Sequence, residues 1–478
     1  MRDRPNIILV MSDDQGWGDT GYNGNPILKT PCLDVMAEEN IRFDRFYAAA
    51  PVCSPTRGSC LTGRHPFRYG IFWADRGYLP EREITLARAL KTAGYSTGHF
   101  GKWHVGTLTA SETDSTRGRP NNPELYSPPW EHGFDECFST ESWMPTYNPM
   151  VWGGGKWTPN ADTSEFKHIM DRSVAEGETT DIPGVYNWHG SYWEGPGKRV
   201  KEDLMGDDSK IVMDRALIFI ESKALASDPF LSVIWFHTPH TPLAAGDRHR
   251  EPYKDQPIKA QHWFGAVSAM DEQVGRLRNR LRELGIAENT LVWFCSDNGP
   301  SYIHDFNSAG PFRGKKATLF EGGVRVPGIL EWPAVFQEPQ VIDTPCVTSD
   351  FYPTLLSLLE ISLDNQPLLD GIDIMPIIRG EQTERARPIA FQSPMRGKSH
   401  RALEERQLAL SDNRYKILSF TNGNSYELYD LLEDPSETTD IASKHPDIVQ
   451  SMKEELEKWC DSCRESLEGK EQLKGVPQ

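Results

Sequence analysis

Asn6-Ile7-Ile8-Leu9-Val10-Met11-Ser12-Asp13-Asp14 is a continuous apolar run that ends in a polar cluster. Without alternation, a short run of this kind reads as a strand buried on both faces, as in a parallel sheet, followed by a polar loop. Three more stretches repeat the pattern. Ser96 to Phe100 leads into Gly101-Lys102-Trp103-His104, Phe230 to Phe236 into His237-Thr238-Pro239-His240, and Thr290 to Cys295 into Ser296-Asp297-Asn298-Gly299. Helical spacing lies between them, clearest in Val267, Met270, Val274, Leu277, Leu281 and Leu284, which Gly285 closes. Strands alternating with helices predict an α/β domain, a large and mostly parallel sheet sandwiched by helices. Open sheets of this class bind ligands beyond the carboxyl ends of their strands, and all four polar clusters fall there.

The 478 residues carry 51 Lys plus Arg against 69 Asp plus Glu, a net charge of −18, which argues against a nucleic-acid partner. No apolar run approaches the roughly 18 residues that span a bilayer, so no membrane segment is expected. An anionic ligand would need cations gathered locally. The eight Cys are too few for a disulfide scaffold and lack the spacing of a zinc ribbon. Cys460 and Cys463 form a C-x-x-C within a charged helical pattern. They read as plain helix residues or a local disulfide, with redox or metal use as the alternative. The N-terminus, as written, is expected to carry no export signal. As written the chain is expected in the cytoplasm, or, as a mature form, in the periplasm or outside the cell.

From Thr107 to about Val200 the alternation is lost, and six of the fourteen Trp lie there. Such aromatic density predicts an ordered insertion, which either builds its own core or walls a binding site. Composition changes again after Leu369-Asp370-Gly371. Arg406 to Ser411 and Tyr415 to Phe420 flank a turn at Asp412-Asn413, Glu427 to Leu431 reads as another strand, and Pro446 to Leu467 has helical spacing. A smaller C-terminal antiparallel sheet with one packed helix is therefore expected over residues 376–478, after a main domain over 1–375.

Cys53-Ser54-Pro55-Thr56-Arg57, continuing Gly58-Ser59-Cys60-Leu61-Thr62-Gly63-Arg64, is the most specific stretch of the chain. It resembles the C-x-P-x-R signature, with its trailing L-T-G-R, of the type I sulfatases in the alkaline-phosphatase-like superfamily. The resemblance implies that a formylglycine-generating maturation enzyme oxidises Cys53 to formylglycine, an aldehyde that is hydrated at rest. A thiolate attacking sulfur would end in a stable thiosulfate-type adduct. The hydrate carries two oxygens on one carbon, one to attack sulfur and one to expel sulfate. Ser54-Pro55 suits the first turn of a helix, whose N-terminus would face the anion.

Asp13, Asp14, Asp297 and Asn298 offer only oxygen ligands, the hard set that selects Ca²⁺ or Mg²⁺ over Zn²⁺. Ser-Asp-Asp and Ser-Asp-Asn-Gly-Pro resemble the metal site of the family, which usually holds Ca²⁺. Gly101-Lys102-Trp103-His104 resembles its G-K-W-H, placing Lys102 and His104 among the expected catalytic residues. Gly314 to Gly323 resembles its G-K-x-[ST]-x-x-E-G-G segment, and counting back five residues from Glu321 selects Lys316 rather than Lys315. Arg57, Lys102 and Lys316 would then be the local cations that stabilise developing charge. His240, in a P-H-x-P context, matches the family's leaving-group acid, and His237 is expected as a neighbour or substrate contact. An ordinary pKa of about 6.5 suits the acid role. Tyr426 to Glu437 is similar to the family's E-L-Y-D-L-x-x-D-P-x-E, so the resemblance runs from residue 6 to about 442, weakly over 107–230.

The expected function is hydrolysis of sulfate esters on a carbohydrate, with Trp143, Trp152 and Trp193 stacking on sugar rings and Lys156, Lys198 or Arg199 meeting further sulfates. Two alternatives stand beside it: a phosphonate or phosphodiester hydrolase of the same superfamily, and a sugar-binding protein whose Cys53 is never converted.

Overall fold

A computed structural model describes residues 4–151, 190–301 and 306–471. Asn6–Ser12 is the central strand of an eight-stranded sheet, parallel to Phe230–Trp235 on one side and to Thr290–Ser296 on the other. Beyond Phe230–Trp235 come Ser96–Lys102 and the edge strand Glu136–Thr140, both parallel. Beyond Thr290–Ser296 come Gly328–Glu331, which is antiparallel, then Ile41–Phe43 and Gln340–Ile342. The four strands read from apolar runs are thus neighbours, and their polar tails leave the sheet at one edge.

The absence of alternation in Asn6–Ser12 follows from burial on both faces. Ile7, Leu9 and Met11 enter one apolar core, while Ile8 and Val10 enter the other. The helix Ile258–Glu283 covers the second face and buries Val267, Met270, Val274, Leu277 and Leu281. Each such side chain gains about 1.5–3 kcal/mol by leaving water. That stripe holds the helix although its first half carries the poor helix formers His262, Trp263, Phe264 and Gly265. Gly285 ends it at φ 69°, a left-handed conformation that glycine adopts without strain.

A separate four-stranded antiparallel sheet contains Ile389–Pro394, Arg406–Ser411, Tyr415–Ser419 and Glu427–Asp430 in that order. One face, with Phe391, Ala409, Leu418 and Tyr429, packs on Tyr47, Leu319 and Val347 of the main body. The other, with Leu408, Leu410, Ile417 and Leu428, is covered by Met452, Leu456 and Cys460 of the helix Pro446–Leu467. Met375 to Ile378 belongs to the core of the large sheet.

One expectation needs correction. The span from Thr107 to Val200 is not wholly irregular, since Glu136–Thr140 supplies the edge strand. Only Cys137 and Phe138 are apolar in it, too short a run to detect, because an edge strand needs less apolar surface. Of the readings open for Cys460 and Cys463, the structure shows plain helix residues, with both thiols free and buried. Among the described residues no helix is long and apolar enough to cross a membrane.

Candidate active site

The polar cluster at the strand ends is a buried charge lattice. Asp13 and Asp14 follow the central strand, with Asp14 at φ 66°, a strained value for a non-glycine residue that turns its amide onto Asp297 Oδ1 at 3.1 Å. Asp297 and Asn298 follow the neighbouring strand Thr290–Ser296. Arg57 donates to Asp297 Oδ2 from Nε at 3.0 Å and from Nη2 at 2.7 Å, and to the Lys102 carbonyl from Nη1 at 3.0 Å. Lys102 Nζ donates to Asp13 Oδ2 at 2.5 Å. Lys316 Nζ reaches Asp14 Oδ1 at 2.5 Å and Cys53 Sγ at 3.5 Å. These residues come from positions as far apart as 13 and 316, yet they form one network.

Cys53 opens the helix Cys53–Thr62, so its side chain leaves from the helix N-terminus, where unpaired amides favour an anion. Burial pushes the Cys53 thiol up, with Lys102 and Lys316 pulling against it. The glycines of the motifs are needed for close approach. A Cβ on Gly299 would lie 2.0 Å from the Gly322 carbonyl oxygen, so Ser-Asp-Asn-Gly and Glu-Gly-Gly touch backbone to backbone. Lys416 of the small sheet holds that turn, 3.0 Å from Glu321 Oε1 and 2.9 Å from Glu437 Oε1.

Whether these residues suit a cation is decided by two oxygens. Asp13 Oδ1 and Asn298 Oδ1 are buried and accept no hydrogen bond. Both come from the ligand set expected from sequence, and an orphaned buried acceptor is costly. One atom each of Asp13, Asp14, Cys53 and His240 lies within 4.8 Å of the others. Burial and Asp13 together push the Asp297 carboxyl up, against the pull of Arg57. A hard divalent cation would satisfy the orphaned oxygens and offset this repulsion. The donor set fits Ca²⁺ or Mg²⁺.

His240 places Nε2 3.8 Å from Asp14 Oδ2, while Nδ1 donates to the Thr241 carbonyl at 2.5 Å. Burial pushes the ring down to about 4, although Asp14 pulls it up. Trp143 stacks on the imidazole at 6.2 Å between centroids and 13° between planes. His104 is buried at φ 60°, with Nε2 3.2 Å from Ser142 Oγ, and burial holds it neutral, well below the usual histidine range.

Other expected contacts lie elsewhere. His237 is fully buried, with Nδ1 2.7 Å from Asp208 Oδ2 and Nε2 2.7 Å from Thr140 Oγ1, so it braces the site from behind instead of meeting a substrate. Trp193 is also in the core: its indole NH donates to Asp114 Oδ2 at 3.0 Å and its backbone pairs with Ser139. Burial removes its faces from any sugar. Trp152 and Lys156 lie outside the described residues. Arg199 pairs with Glu112 at 2.5 Å.

One functional-looking pair escapes sequence reasoning. Arg117 and Glu141 are both buried and paired at 2.9 Å, and Arg117 Nη2 donates to Ser54 Oγ at 2.7 Å. Ser54 in turn donates to the His104 carbonyl. Nothing in the loop around Arg117 resembles a motif; only the fold brings it against the residue after Cys53.

Comparison with known proteins gives the family. The family model described as Sulfatase matches residues 5–361, and the model described as N-sulphoglucosamine sulphohydrolase, C-terminal, matches residues 313–462. N-acetylgalactosamine-6-sulfatase of Canis lupus familiaris is 32% identical over 445 residues, covering 88% of this chain and 73% of that protein. Steryl-sulfatase of Homo sapiens is 31% identical over 434 residues, covering 79% and 70%. The crystal structure of Ps i-CgsB in complex with k-i-k-neocarrahexaose is similar with a TM-score of 0.76 at 27% identity, covering 95% of this chain and 92% of that one. With a family model spanning most of its length and relatives matched over most of theirs, the chain belongs to the sulfatase family of the alkaline-phosphatase-like superfamily and is a sulfuric ester hydrolase.

Proposed function

We propose that this enzyme removes sulfate from a sulfated carbohydrate, using a formylglycine made from Cys53 and a divalent cation, Ca²⁺ in preference to Mg²⁺. The observation that carries the mechanism is the meeting of Cys53 Sγ with Lys316 Nζ at 3.5 Å, beside two orphaned oxygens of Asp13 and Asn298. Burial keeps the unmodified thiol protonated, which makes it a poor nucleophile and favours the reading that it is a precursor. The hydrated aldehyde of formylglycine would supply the attacking oxygen. The cation, held by Asp13, Asp14, Asp297 and Asn298, would neutralise charge on that oxygen and on the sulfuryl group.

The chain's own residues do the remaining work. Arg57 locks Asp297 in place, Lys102 and Lys316 sit where sulfuryl oxygens gather charge, and His240 Nε2 faces the site to protonate the leaving oxygen. Burial lowers the His240 pKa, and a bound sulfate ester, being an anion, would act to raise it.

The carbohydrate reading draws support from the oligosaccharide held by one similar structure and from the name of the galactosamine sulfatase. Trp143, stacked on His240 at the site, could extend an apolar face toward a sugar ring. Mass spectrometry of the peptide Phe46 to Arg57 tests conversion of Cys53. Rates on a sulfated oligosaccharide, a steryl sulfate and an aryl phosphodiester then test the substrate class. A preference for either of the last two would overturn the carbohydrate assignment, and the phosphodiester result would make the enzyme a phosphoryl hydrolase.

A further inference from the structure

The face of the small sheet that packs on the main body is apolar at Phe391, Ala409, Leu418 and Tyr429, yet it carries a buried amide, Gln407. Gln407 is two residues from Ala409 on one strand, and Lys416 is two from Leu418 on the next, so both stand on that face. Both aim at one segment of the main body. Lys416 takes Glu321, while Gln407 Nε2 donates to the Ala317 carbonyl at 2.8 Å and Gln407 Oε1 accepts from the Leu319 amide at 3.0 Å. A carbonyl at one end and an amide N–H at the other fix the orientation of the side chain.

Ala317 follows Lys316 and sits at φ 69°, a left-handed backbone that a residue with a Cβ avoids. Three tethers hold it there. The Lys316 amide donates to the Pro300 carbonyl at 3.0 Å, just past Asp297 and Asn298, and the Ala317 amide donates to the Pro51 carbonyl at 2.8 Å, two residues before Cys53. Gln407 supplies the third, and it alone comes from the small sheet. We propose that Gln407 is a positioning residue for catalysis: by holding the strained peptide after Lys316 it keeps Nζ against Cys53 and Asp14, so that the small sheet completes the support of the active site. This rests on the reading of Lys316 as the cation that stabilises charge on the sulfuryl oxygens.

Gln407→Met keeps the length of the side chain and removes both hydrogen bonds. It should lower kcat/KM on an aryl sulfate by about 10- to 100-fold, the scale of loss when a catalytic group moves by about an ångström. In the Lys316→Ala background the same change should cost less than about twofold, since no ammonium is left to misplace. The drop in unfolding temperature should be the same in both backgrounds. Ala317→Gly, which takes φ 69° without strain, should restore part of the kcat/KM lost in Gln407→Met. Gln407→Asn, polar but one methylene too short to span both groups, gives the same comparison if Gln407→Met does not fold. Equal kinetic losses with and without Lys316, or no loss from either change at Gln407 while Lys316→Ala is crippled, would overturn the positioning role. Full activity in Lys316→Ala would instead remove the lysine from the site, and the role of Gln407 with it.

Discussion

Lys316 Nζ bridges Cys53 Sγ at 3.5 Å and Asp14 Oδ1 at 2.5 Å, and burial against that carboxylate leaves the ammonium charged, well above the usual lysine pKa. Burial alone would lower it; Asp14, Asp13 and Asp297 outweigh that cost. Lys316→Ala should therefore lower kcat/KM by about 10²–10³. Lys315→Ala, one residue away, should change it less than threefold. Steady-state kinetics on one aryl sulfate compares the two, and equal losses would remove Lys316 from the site.

The orphaned oxygens of Asp13 and Asn298 make metal binding the expected outcome of the next test. One Ca²⁺ per chain should be found by elemental analysis, and chelation should lower the unfolding temperature as well as activity, since a ligand at 100 times its Kd stabilises by about 2.7 kcal/mol. Asn298→Ala should lose the ion while the Arg57–Asp297 pair survives. Stoichiometric zinc would contradict the oxygen ligand set.

His240→Ala should reduce turnover of alkyl sugar sulfates by about 10²–10⁴ and that of aryl sulfates far less, because phenols leave without help. Trp143→Ala should have a smaller effect in the same direction, because it removes the ring stacked on the imidazole. A uniform loss on both substrates would exclude the acid role.

Arg117→Met should destabilise the fold by about 3–5 kcal/mol, because it leaves Glu141 charged and buried without its partner. Pairing the change with Glu141→Gln should recover part of that loss in denaturant unfolding. Activity should remain impaired in the double variant, since Ser54 still lacks the Arg117 donor beside Cys53.

Stability should fall with acid from about pH 6.5. Burial pushes His262 down to about 4, so between that value and 6.5 the unfolded chain binds a proton that the folded chain refuses. Stability from this group is complete above 6.5 and is lost as pH drops toward 4, by up to about 3 kcal/mol. His262→Asn, which can still accept from the Ala245 amide, should flatten the curve in that window. An unchanged slope would place the acid sensitivity elsewhere.

Much of the fold was legible because its signals are local. The run Asn6 to Met11 states its own burial on two faces, the helix Pro446–Leu467 appears with the bounds its spacing predicts, and Cys53 to Arg64 carries a motif within twelve residues. The strands Phe46–Tyr47 and Cys346–Val347 are two residues long and have no period to read. Glu136–Thr140 escaped for a related reason, having little apolar surface of its own.

Sequence alone thus determined the α/β sheet and the loop ends that carry the polar clusters, and it singled out Cys53 as the proposed nucleophile precursor and an all-oxygen set as the proposed metal ligands. Tertiary structure alone decided which of these groups touch. His237 and His240 are three residues apart, yet one is sealed against Asp208 and Thr140 while the other opens toward Asp14. Arg117 reaches Ser54 across 63 positions. Periodicity and motif are properties of neighbouring residues along the chain, whereas partnership of charges depends on contacts closed between distant segments, and burial then fixes which of those charges must be satisfied.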